Sequence, residues 1–481
     1  MERYPNINIL LNLPRDYIPK AEFVLRTYCY ILRLNPKFVY GSHFEAAHMY
    51  YGPKSEKVYP LSIHFEPETA EFFESVDLYP LERVNFCRFG KDSVPFLFSE
   101  GGAIFAFTGE SCSLRKDIVA SGFYFLTCWH EYVFSERGLP RGRVDYKESL
   151  QYRWDFIESP VVDIYCGLMH YALKNYLPEF VRDTSWRDDY RFALSLSHDI
   201  DYWDFWNEET ILQTLSYNYR SFRERPFRAI YKLLGHYWHK RIIKGHRNSV
   251  EKILRREKEI GISSTWFILA RNDYLDKRQN YIDDIVARTQ LTGLLAQQDV
   301  ALHGSPDSAF NLGVLNKEIQ ALQELGFNPT GFRTHYLHFD YQKSFSTLEA
   351  AGIKYDSTLG YWENIGFRAG TSFPFYPFNI KENRPFRVLE IPLIVMDTTL
   401  HSAKAMNLDI AAGKRSINRL INAATDYQSH ISLLWHNTTF DPIDYPHWGN
   451  LYWKTIRQAL KKQAWVTSLN DIYEEWVNLS Y

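Results

Sequence analysis

Two aspartates that stand two residues apart, Asp199 and Asp201, follow an apolar run that begins at Leu194. Side chains at positions i and i+2 of a strand point to the same face, so we expect both carboxylates to project together from one strand end. Two carboxylates this close repel each other unless a cation or a shared proton intervenes. The pair therefore suits a metal ligand beside a general base, and an Asp-rich turn after a strand is the alternative interpretation.

Histidines end two later apolar runs in the same way. His303 follows Val300 to Leu302, and His436 follows Ile431 to Trp435. Histidine is the commonest metal ligand and titrates near neutral pH, although a single histidine at a strand end is more often structural. In α/β barrels the carboxyl ends of the strands carry the chemistry. Three strands that end in Asp or His therefore predict one shared site.

The C-terminal part of the chain resembles the polysaccharide deacetylase (NodB-homology) family, carbohydrate esterase family 4. Asp199-Ile200-Asp201 matches the Asp-x-Asp variant of the family's first motif. The second motif, His-Ser/Thr-x-x-His, aligns with His303 to Asp307, and the third aligns with Gly331-Phe332-Arg333. The fifth, an apolar strand that ends in His, aligns with Ile431 to His436. These motifs run in family order between about residues 190 and 470.

The resemblance implies a distorted (β/α) barrel and a metal-dependent hydrolase of non-peptide carbon–nitrogen bonds. Such an enzyme removes an N-acetyl (or O-acetyl) group from a sugar or polysaccharide precursor. In Asp-x-Asp members the first Asp is the base, so Asp199 takes that role, while Asp201 and His303 bind the metal. Zinc is the expected ion, with Co, Ni or Mn as alternatives. Arg333 would orient Asp199, and His436 would protonate the departing nitrogen.

The sequence departs from the family pattern at two places. Asp307 stands where the second motif has its second histidine. Aspartate can bind zinc, and a carboxylate-rich site favours a harder metal, so Asp307 is a candidate third ligand. Alternatively, Asp307 is a turn residue, and water or another side chain completes the site. The family's Arg-Pro-Pro/Phe sequence is also replaced after Arg333, which leaves His335 and His338 as candidates for substrate or metal contact.

Further candidates for substrate binding lie in a loop-rich segment, Tyr355 to Phe378, dense in Gly, Pro and aromatic residues. Loops near a barrel mouth often carry specificity, so Trp362 and Arg368 are predicted substrate contacts, together with His335. Asp397, which follows another apolar strand, is a predicted partner for a sugar hydroxyl. A packed structural loop is the alternative for this segment.

The length of 481 residues predicts two domains. Residues 1–180 mix short apolar strands with helical runs, such as Ala21–Leu34 and Asp117–Tyr132, and predict an N-terminal α/β domain of unknown role. In residues 181–481 strands alternate with helices, a pattern that predicts a parallel sheet. One of these helices, Leu408–Tyr427, is predicted to begin after an N-cap at Asn407. The fold class is therefore α/β throughout.

A long insertion at about residues 205–260 is rich in basic residues with interleaved aromatic residues. A helix of this composition can lie on an anionic membrane or hold an acidic substrate. A solvated helix face is the more common role of such a run. If the substrate is lipid-linked, the insertion predicts a peripheral membrane contact.

Composition bounds the remaining expectations. All five cysteines lie in the first 166 residues and none forms a CxxC pair, which favours a reducing compartment. The N-terminus lacks a signal-peptide pattern, and no apolar stretch reaches the ~18 residues of a spanning helix. We expect a cytoplasmic protein that acts on a lipid- or nucleotide-linked precursor of a bacterial surface polysaccharide. The net charge of −2 gives no basis for a nucleic acid partner, and we expect none.

A second class of function stays open at this point. Because the second motif lacks its second histidine, the chain is alternatively a catalytically silent carbohydrate-binding or scaffold protein on a deacetylase fold. Metal content would discriminate between the two. The sequence identifies neither the sugar, the acyl group nor the oligomeric state.

Overall fold

A computed structural model of the chain describes residues 4–75, 84–98, 102–136, 145–181, 186–187, 190–203, 226–227, 230, 234–235, 247–270 and 279–480. Within these ranges each half of the chain forms its own main sheet, and helices pack on both sheets. The molecule is therefore a mixed α/β protein, as predicted.

The first sheet has six strands in the order β2-β1-β3-β4-β8-β7, and all neighbours are parallel except β7 and β8. A separate hairpin consists of β5 and β6. The strands are β1 (Asn6–Leu11), β2 (Asn35–Tyr40), β3 (Met49–Gly52), β4 (Leu61–His64), β5 (Asn85–Phe89), β6 (Asp92–Phe96), β7 (Phe105–Phe107) and β8 (Cys112–Leu114). The helices are α1 (Ile18–Ile31), α2 (Pro67–Glu74), α3 (Ile118–Leu126), α4 (Trp129–Glu136), α5 (Leu150–Arg153) and α6 (Val161–Tyr176).

The helix predicted over Asp117–Tyr132 is in fact two helices, α3 and α4. Asp117 caps α3, because its side chain accepts hydrogen bonds from the backbone N–H groups of Val119 and Ala120. Cys128 then adopts a positive φ of 44°, which interrupts the helical backbone. Apolar periodicity continues across this break and gives no sign of it in the sequence.

The second sheet has nine strands, and all its pairs are parallel. Its order is β16-β13-β12-β11-β10-β9-β18-β17, and β19 also pairs with β9. The strands are β9 (Phe192–Ile200), β10 (Thr265–Leu269), β11 (Asp299–Gly304), β12 (Gly331–Thr334), β13 (Tyr355–Asp356), β16 (Leu389–Glu390), β17 (Val395–Met396), β18 (His430–Leu434) and β19 (Ala464–Ser468). A small hairpin, β14 (Phe378–Asn379) and β15 (Arg384–Pro385), stands apart.

The second sheet curls into an incomplete barrel. Its outermost strands, β16 and β17, are separated in the chain only by residues 391–394, so the two edges must lie close together. No hydrogen-bonded pairing joins these two strands in the part of the chain that the structure describes. The expected curled parallel sheet is thus present, and it is open between β16 and β17.

Helices connect the strands of the second sheet. They are α7 (Arg247–Ile260), α8 (Ile285–Leu295), α9 (Leu312–Glu324), α10 (Tyr341–Ala351), α11 (Asp397–His401), α12 (Ile410–Tyr427), α13 (Trp448–Lys461) and α14 (Leu469–Ser480). The predicted N-cap of α12 is wrong by two residues. Asp409, rather than Asn407, caps the helix by accepting a hydrogen bond from the N–H of Ala412, and Asn407 lies before it with φ 50°.

One apolar core continues through both halves of the chain. Phe378 of the second half, for example, packs against Phe23 and Phe123 of the first, with ring centroids 5.1 Å and 5.3 Å apart. The domain boundary near residue 180 stays a prediction, and residues 182–185 and 188–189, which follow it, lie outside the described residues. Most of the basic insertion does so too, apart from α7 and a few isolated residues. No helix among the described residues is long and apolar enough to cross a membrane.

Candidate metal centre

Strands β9, β11 and β12 bring candidate residues to one edge of the second sheet. Asp199 is near the end of β9, and Asp201 follows its last residue. His303 is in β11 and pairs in register with Arg333 of β12. Because the carboxyl ends of parallel strands meet at the same edge, residues more than a hundred positions apart in the chain become neighbours here.

Asp201, His303 and His335 form a triad that could hold a metal ion, with ligand atoms that all lie within 4.8 Å of one another. The carboxylate Oδ1 of Asp201 is 3.2 Å from Nε2 of His303 and 3.7 Å from Nε2 of His335. Oδ1 of Asp201 and Nε2 of His303 are both buried and have no hydrogen-bond partner among the described residues. Buried polar atoms without a partner are costly, and a cation between them would remove that cost.

The tautomer of His303 fits a metal ligand. Its Nδ1 lies 3.0 Å from the carbonyl oxygen of Arg333, an acceptor, so Nδ1 carries the proton and donates it there. The lone pair on Nε2 therefore points towards Asp201. Metal-binding histidines usually have their second nitrogen fixed in this way. One carboxylate and two imidazoles suit zinc and other divalent transition metals.

The charges of the triad follow from burial and from mutual contact. Burial raises the pKa of Asp201, but His335, His303 and His436 outweigh it and hold that pKa well below its usual value. Burial lowers the pKa of His303, but Asp199 and Asp201 outweigh it and raise that pKa. Burial lowers the pKa of His335. Asp201 is thus an anion at neutral pH, the form in which a carboxylate binds metal.

Asp199 lies beside the triad and is held by a buried arginine. Its Oδ1 accepts a hydrogen bond of 2.8 Å from Nη1 of Arg333, and its Oδ2 is 3.6 Å from Nε2 of His303. The Arg333 side chain is inaccessible to solvent. Its Nη1 also donates to Oγ of Ser197, whereas Nε and Nη2 donate to the backbone oxygen and Oγ of Ser357. Four hydrogen bonds fix this guanidinium, and with it one oxygen of Asp199.

His436 lies next to Asp201 and is paired with a buried aspartate. Its Nε2 is 3.8 Å from Oδ2 of Asp201, and its Nδ1 is 2.6 Å from Oδ1 of Asp397. Asp397 also accepts from the backbone N–H groups of His436 and Thr398. Burial lowers the pKa of His436, but Asp397 outweighs it and raises that pKa to about 10. Burial raises the pKa of Asp397, but His436 outweighs it and lowers that pKa to about 2.

The structure does not bring Asp307, the predicted third ligand, into the triad. Strand β11 ends at Gly304, and the chain turns so that Asp307 is exposed to solvent. His335, predicted as a substrate contact, takes the third place from the turn after β12. The only signal in the sequence was a histidine two residues after Arg333. His198, next to Asp199, is buried on the other face of β9.

Two of the predicted substrate contacts have partners within the protein. Arg368 is buried, and its Nε and Nη2 donate to the carboxylate of Glu131. Asp397, predicted to meet a sugar hydroxyl, is the partner of His436. The structure thus gives both side chains roles inside the protein. Trp362 remains at the site, half-buried against a small apolar cluster.

That apolar cluster is separate from the main core and consists of Leu337, Leu393, Met396 and Leu434. Three of its members are one or two residues from His335, Asp397 or His436 in the chain. The cluster is therefore close in the chain to the charged groups. Sequence reasoning missed it, because nothing in the three separate segments shows that these side chains meet.

Comparisons with known proteins describe the two halves separately. Residues 9–178 match a family model described as a family of unknown function (DUF7033). The chain is similar in structure to a Mycobacterium smegmatis protein that is provisionally named a polysaccharide deacetylase, with a TM-score of 0.41 and 17% identity over 61% of this chain and 93% of that chain. No curated protein matches the sequence. The chemistry of the site therefore has to be argued from its own geometry.

Proposed function

We propose that this protein is a metal-dependent hydrolase that removes an acetyl group from a carbohydrate. The observation that carries the proposal is the convergence of buried ligand atoms from Asp201, His303 and His335. The carbohydrate as substrate comes from the motif resemblance, and a lipid- or nucleotide-linked sugar is the expected form. A divalent ion, zinc first, would polarise the acyl carbonyl and acidify a water molecule when bound.

Asp199 is the general base of the proposed reaction. Its Oδ1 is committed to Arg333, which leaves Oδ2, 3.6 Å from Nε2 of His303, to accept a proton from water. A base must be within hydrogen-bond reach of the proton that it removes. The hydrogen bond from Arg333 keeps the carboxylate in that position.

His436 is the acid for the departing nitrogen. Its Nδ1 donates to Asp397, so Nε2 is directed towards the triad, where it can transfer a proton to a leaving group. The proposed base and acid thus both lie next to the triad, Asp199 beside His303 and His436 beside Asp201. One group can accept the proton of the attacking water and the other can protonate the departing amine.

The apolar cluster favours a short acyl group. Leu337, Leu393, Met396 and Leu434 are nearly fully buried, so little apolar surface is left there for a substrate to contact. A methyl group gains about 0.8 kcal/mol from such burial. An acetyl group fits this arrangement better than a long acyl chain.

Metal binding tests the foundation of the proposal. We expect the purified protein to bind one Zn²⁺ or Co²⁺ ion per chain by calorimetry. Asp201→Asn, His303→Ala and His335→Ala should each weaken binding by about 100-fold or more, because each removes a ligand. Asp307→Ala is the matched control and should bind as the wild type does. Weaker binding in Asp307→Ala with unchanged binding in His335→Ala would contradict the assignment.

Acetate release tests the reaction itself. The metal-loaded protein should release acetate from a panel of acetylated sugars that includes chitooligosaccharides and UDP-N-acetylglucosamine. Asp199→Asn should lower kcat by about a thousandfold, because it removes the general base, and it should still bind metal. A protein that binds no metal and releases no acetate from any member of the panel would favour the catalytically silent alternative.

A further inference from the structure

One segment of the second half, residues 357–372, joins the candidate site to the N-terminal half; we name it the bridging segment. At its start, Ser357 accepts two hydrogen bonds from Arg333, 2.9 Å and 3.0 Å long. Oγ1 of Thr358 accepts a hydrogen bond from the backbone N–H of Thr334, 3.1 Å away. Ser357 therefore fixes the guanidinium of Arg333, which in turn holds Asp199, while Thr358 fixes the backbone of the next residue, Thr334.

The middle of the bridging segment is anchored by a buried ion pair with the N-terminal half. Arg368 donates from Nε and Nη2 to Glu131 of α4, over 2.8 Å and 2.6 Å. Its Nη1 donates to the carbonyl oxygen of Gly360, 3.0 Å away. Glu131 and Arg368 are 6% and 8% exposed, so this pair is almost completely removed from water. One guanidinium thus connects α4 to the part of the segment near Ser357.

The backbone of residues 366–370, on both sides of Arg368, also contacts the N-terminal half. The N–H of Phe367 donates to the carbonyl oxygen of Ile157, and the N–H of Val162 donates to the carbonyl oxygen of Gly370. The approach is so close at Gly366 (φ 136°) that a Cβ there would lie 2.2 Å from the carbonyl oxygen of Ile157. Only glycine fits this position, because of both its φ and the space.

The side chain of Asp163, in α6, fixes the last two residues of the segment. It accepts a hydrogen bond of 2.7 Å from Oγ1 of Thr371, and further hydrogen bonds from the hydroxyl and the N–H of Ser372. Asp163 is 2% exposed. Two buried carboxylates of the N-terminal half, Glu131 and Asp163, are therefore used to hold one segment of the other half.

We propose that Glu131 and Arg368 are positioning residues for the hydrolase, and that the N-terminal half is part of the catalytic unit. This inference rests on the proposed function. The path begins at Glu131 and enters the bridging segment at Arg368, which also binds Gly360. From Ser357, at the start of the segment, it continues to Arg333 and to the proposed base Asp199. The N-terminal half serves the chemistry by fixing this path, a role different from that of a separately folded binding module.

The experiment compares two ion pairs that cross the same boundary. Glu158 and Arg419 also join the two halves, with two hydrogen bonds of 2.9 Å, but they are partly exposed and do not involve the bridging segment. Glu131→Gln should lower kcat by about tenfold with KM changed less than about twofold, because an indirect support of the base is weakened. Glu158→Gln should leave both constants as in the wild type.

Two further measurements separate positioning from general damage to the fold. Zn²⁺ affinity should be unchanged in Glu131→Gln, because the three ligands are untouched. Hydrogen exchange should become faster in residues 357–372, with the strands β9 and β11 unaffected. Arg368→Lys retains the charge but cannot reach both Glu131 and Gly360, so its kcat should be intermediate. If Glu131→Gln does not fold, Arg368→Lys alone decides the question.

The outcomes distinguish the two proposals. If the wild type binds metal but releases no acetate, the proposed function fails, while faster exchange in the bridging segment of Glu131→Gln would still support the connection. If the wild type is active and neither Glu131→Gln nor Arg368→Lys differs from Glu158→Gln in kcat, the positioning role is overturned. A change in Zn²⁺ affinity equal to the change in kcat would also overturn it, because the effect would then act through the metal ligands.

Discussion

The imidazole of His303 shows how single atoms define this site. Its Nδ1 is used by the backbone of Arg333, and its Nε2 is left between two carboxylates. Arg333 thus has two contacts here: its backbone oxygen orients His303, and its side chain orients Asp199. Arg333 therefore orients both a proposed metal ligand and the proposed base, which makes it central to the geometry.

Replacing His436 should affect substrates according to their leaving groups. His436→Ala should lower kcat for an N-acetyl sugar by about 10²–10³-fold, because the amine then leaves without a proton. Hydrolysis of p-nitrophenyl acetate should fall much less, since its leaving group needs no proton. Parallel steady-state assays of both substrates check this, with Asp397→Asn expected between His436→Ala and the wild type. An equal loss for both substrates would show that His436 has another role.

Individual residues were predictable where one strand end carried the information. Asp199, Asp201, His303 and His436 each follow an apolar run, so sequence periodicity places them at the same edge of a parallel sheet. The third member of the triad was not predictable in this way. Whether Asp307 or His335 joins the triad depends on how two turns bend after β11 and β12, and turn geometry is not encoded in apolar spacing.

Among the elements, the short turn His335–Leu337 decides where the third member of the triad lies. Tyr336 and Leu337 both have positive φ, 62° and 51°, which is uncommon for residues with a Cβ. The Tyr336 ring stacks on His335, with centroids 3.7 Å apart. Unfavourable backbone of this kind persists where the surroundings enforce it, often at functional sites.

Substitutions at Tyr336 should separate the backbone requirement from the side chain. Tyr336→Pro should weaken Co²⁺ binding by about tenfold or more, because proline fixes φ near −65° and cannot form this turn. Tyr336→Gly, which tolerates positive φ, should retain binding within about threefold. Titration of the Co²⁺ absorption bands measures both variants. Equal affinities in the two variants would show that the turn does not position His335.

Element boundaries followed from the sequence less well than element types. Strands alternate with helices as expected, because apolar runs and helical periodicity are strong local signals. The break at Cys128 and the cap at Asp409 depend on single backbone angles and hydrogen bonds, which local periodicity does not report. The bridging segment was predicted only as a loop, since its structure comes from distant partners such as Glu131 and Asp163.

On the scale of the whole molecule, buried polar groups join the two halves in addition to the apolar core. Asp163 is one of them. Burial raises its pKa to about 7, from an ordinary value of 3.8, although Ser372 and Thr371 donate hydrogen bonds to it. The folded protein therefore binds this proton more tightly than the unfolded chain does. The raised pKa of Asp163 therefore adds to the free energy of unfolding. This contribution is complete below about pH 4 and is lost as the pH rises through about 7.

Asp163→Asn should remove this pH dependence. As the pH rises from 5 to 7, the free energy of unfolding of the wild type should fall relative to that of Asp163→Asn, by up to about 1.4 kcal/mol per pH unit. The difference should become constant at pH values well above 7. Urea unfolding of both proteins at several pH values measures it. A difference that does not vary with pH would mean that Asp163 is ionised throughout this range.

The shared interior has a consequence for how such chains diverge over time. Glu131 and Arg368, or Phe23 and Phe378, are distant in the sequence but fill each other's space. A change on one side alters what is tolerated on the other. Among relatives of this chain, substitutions at such positions should be correlated, and an exchange of only one half between two relatives would separate partners that had been selected together.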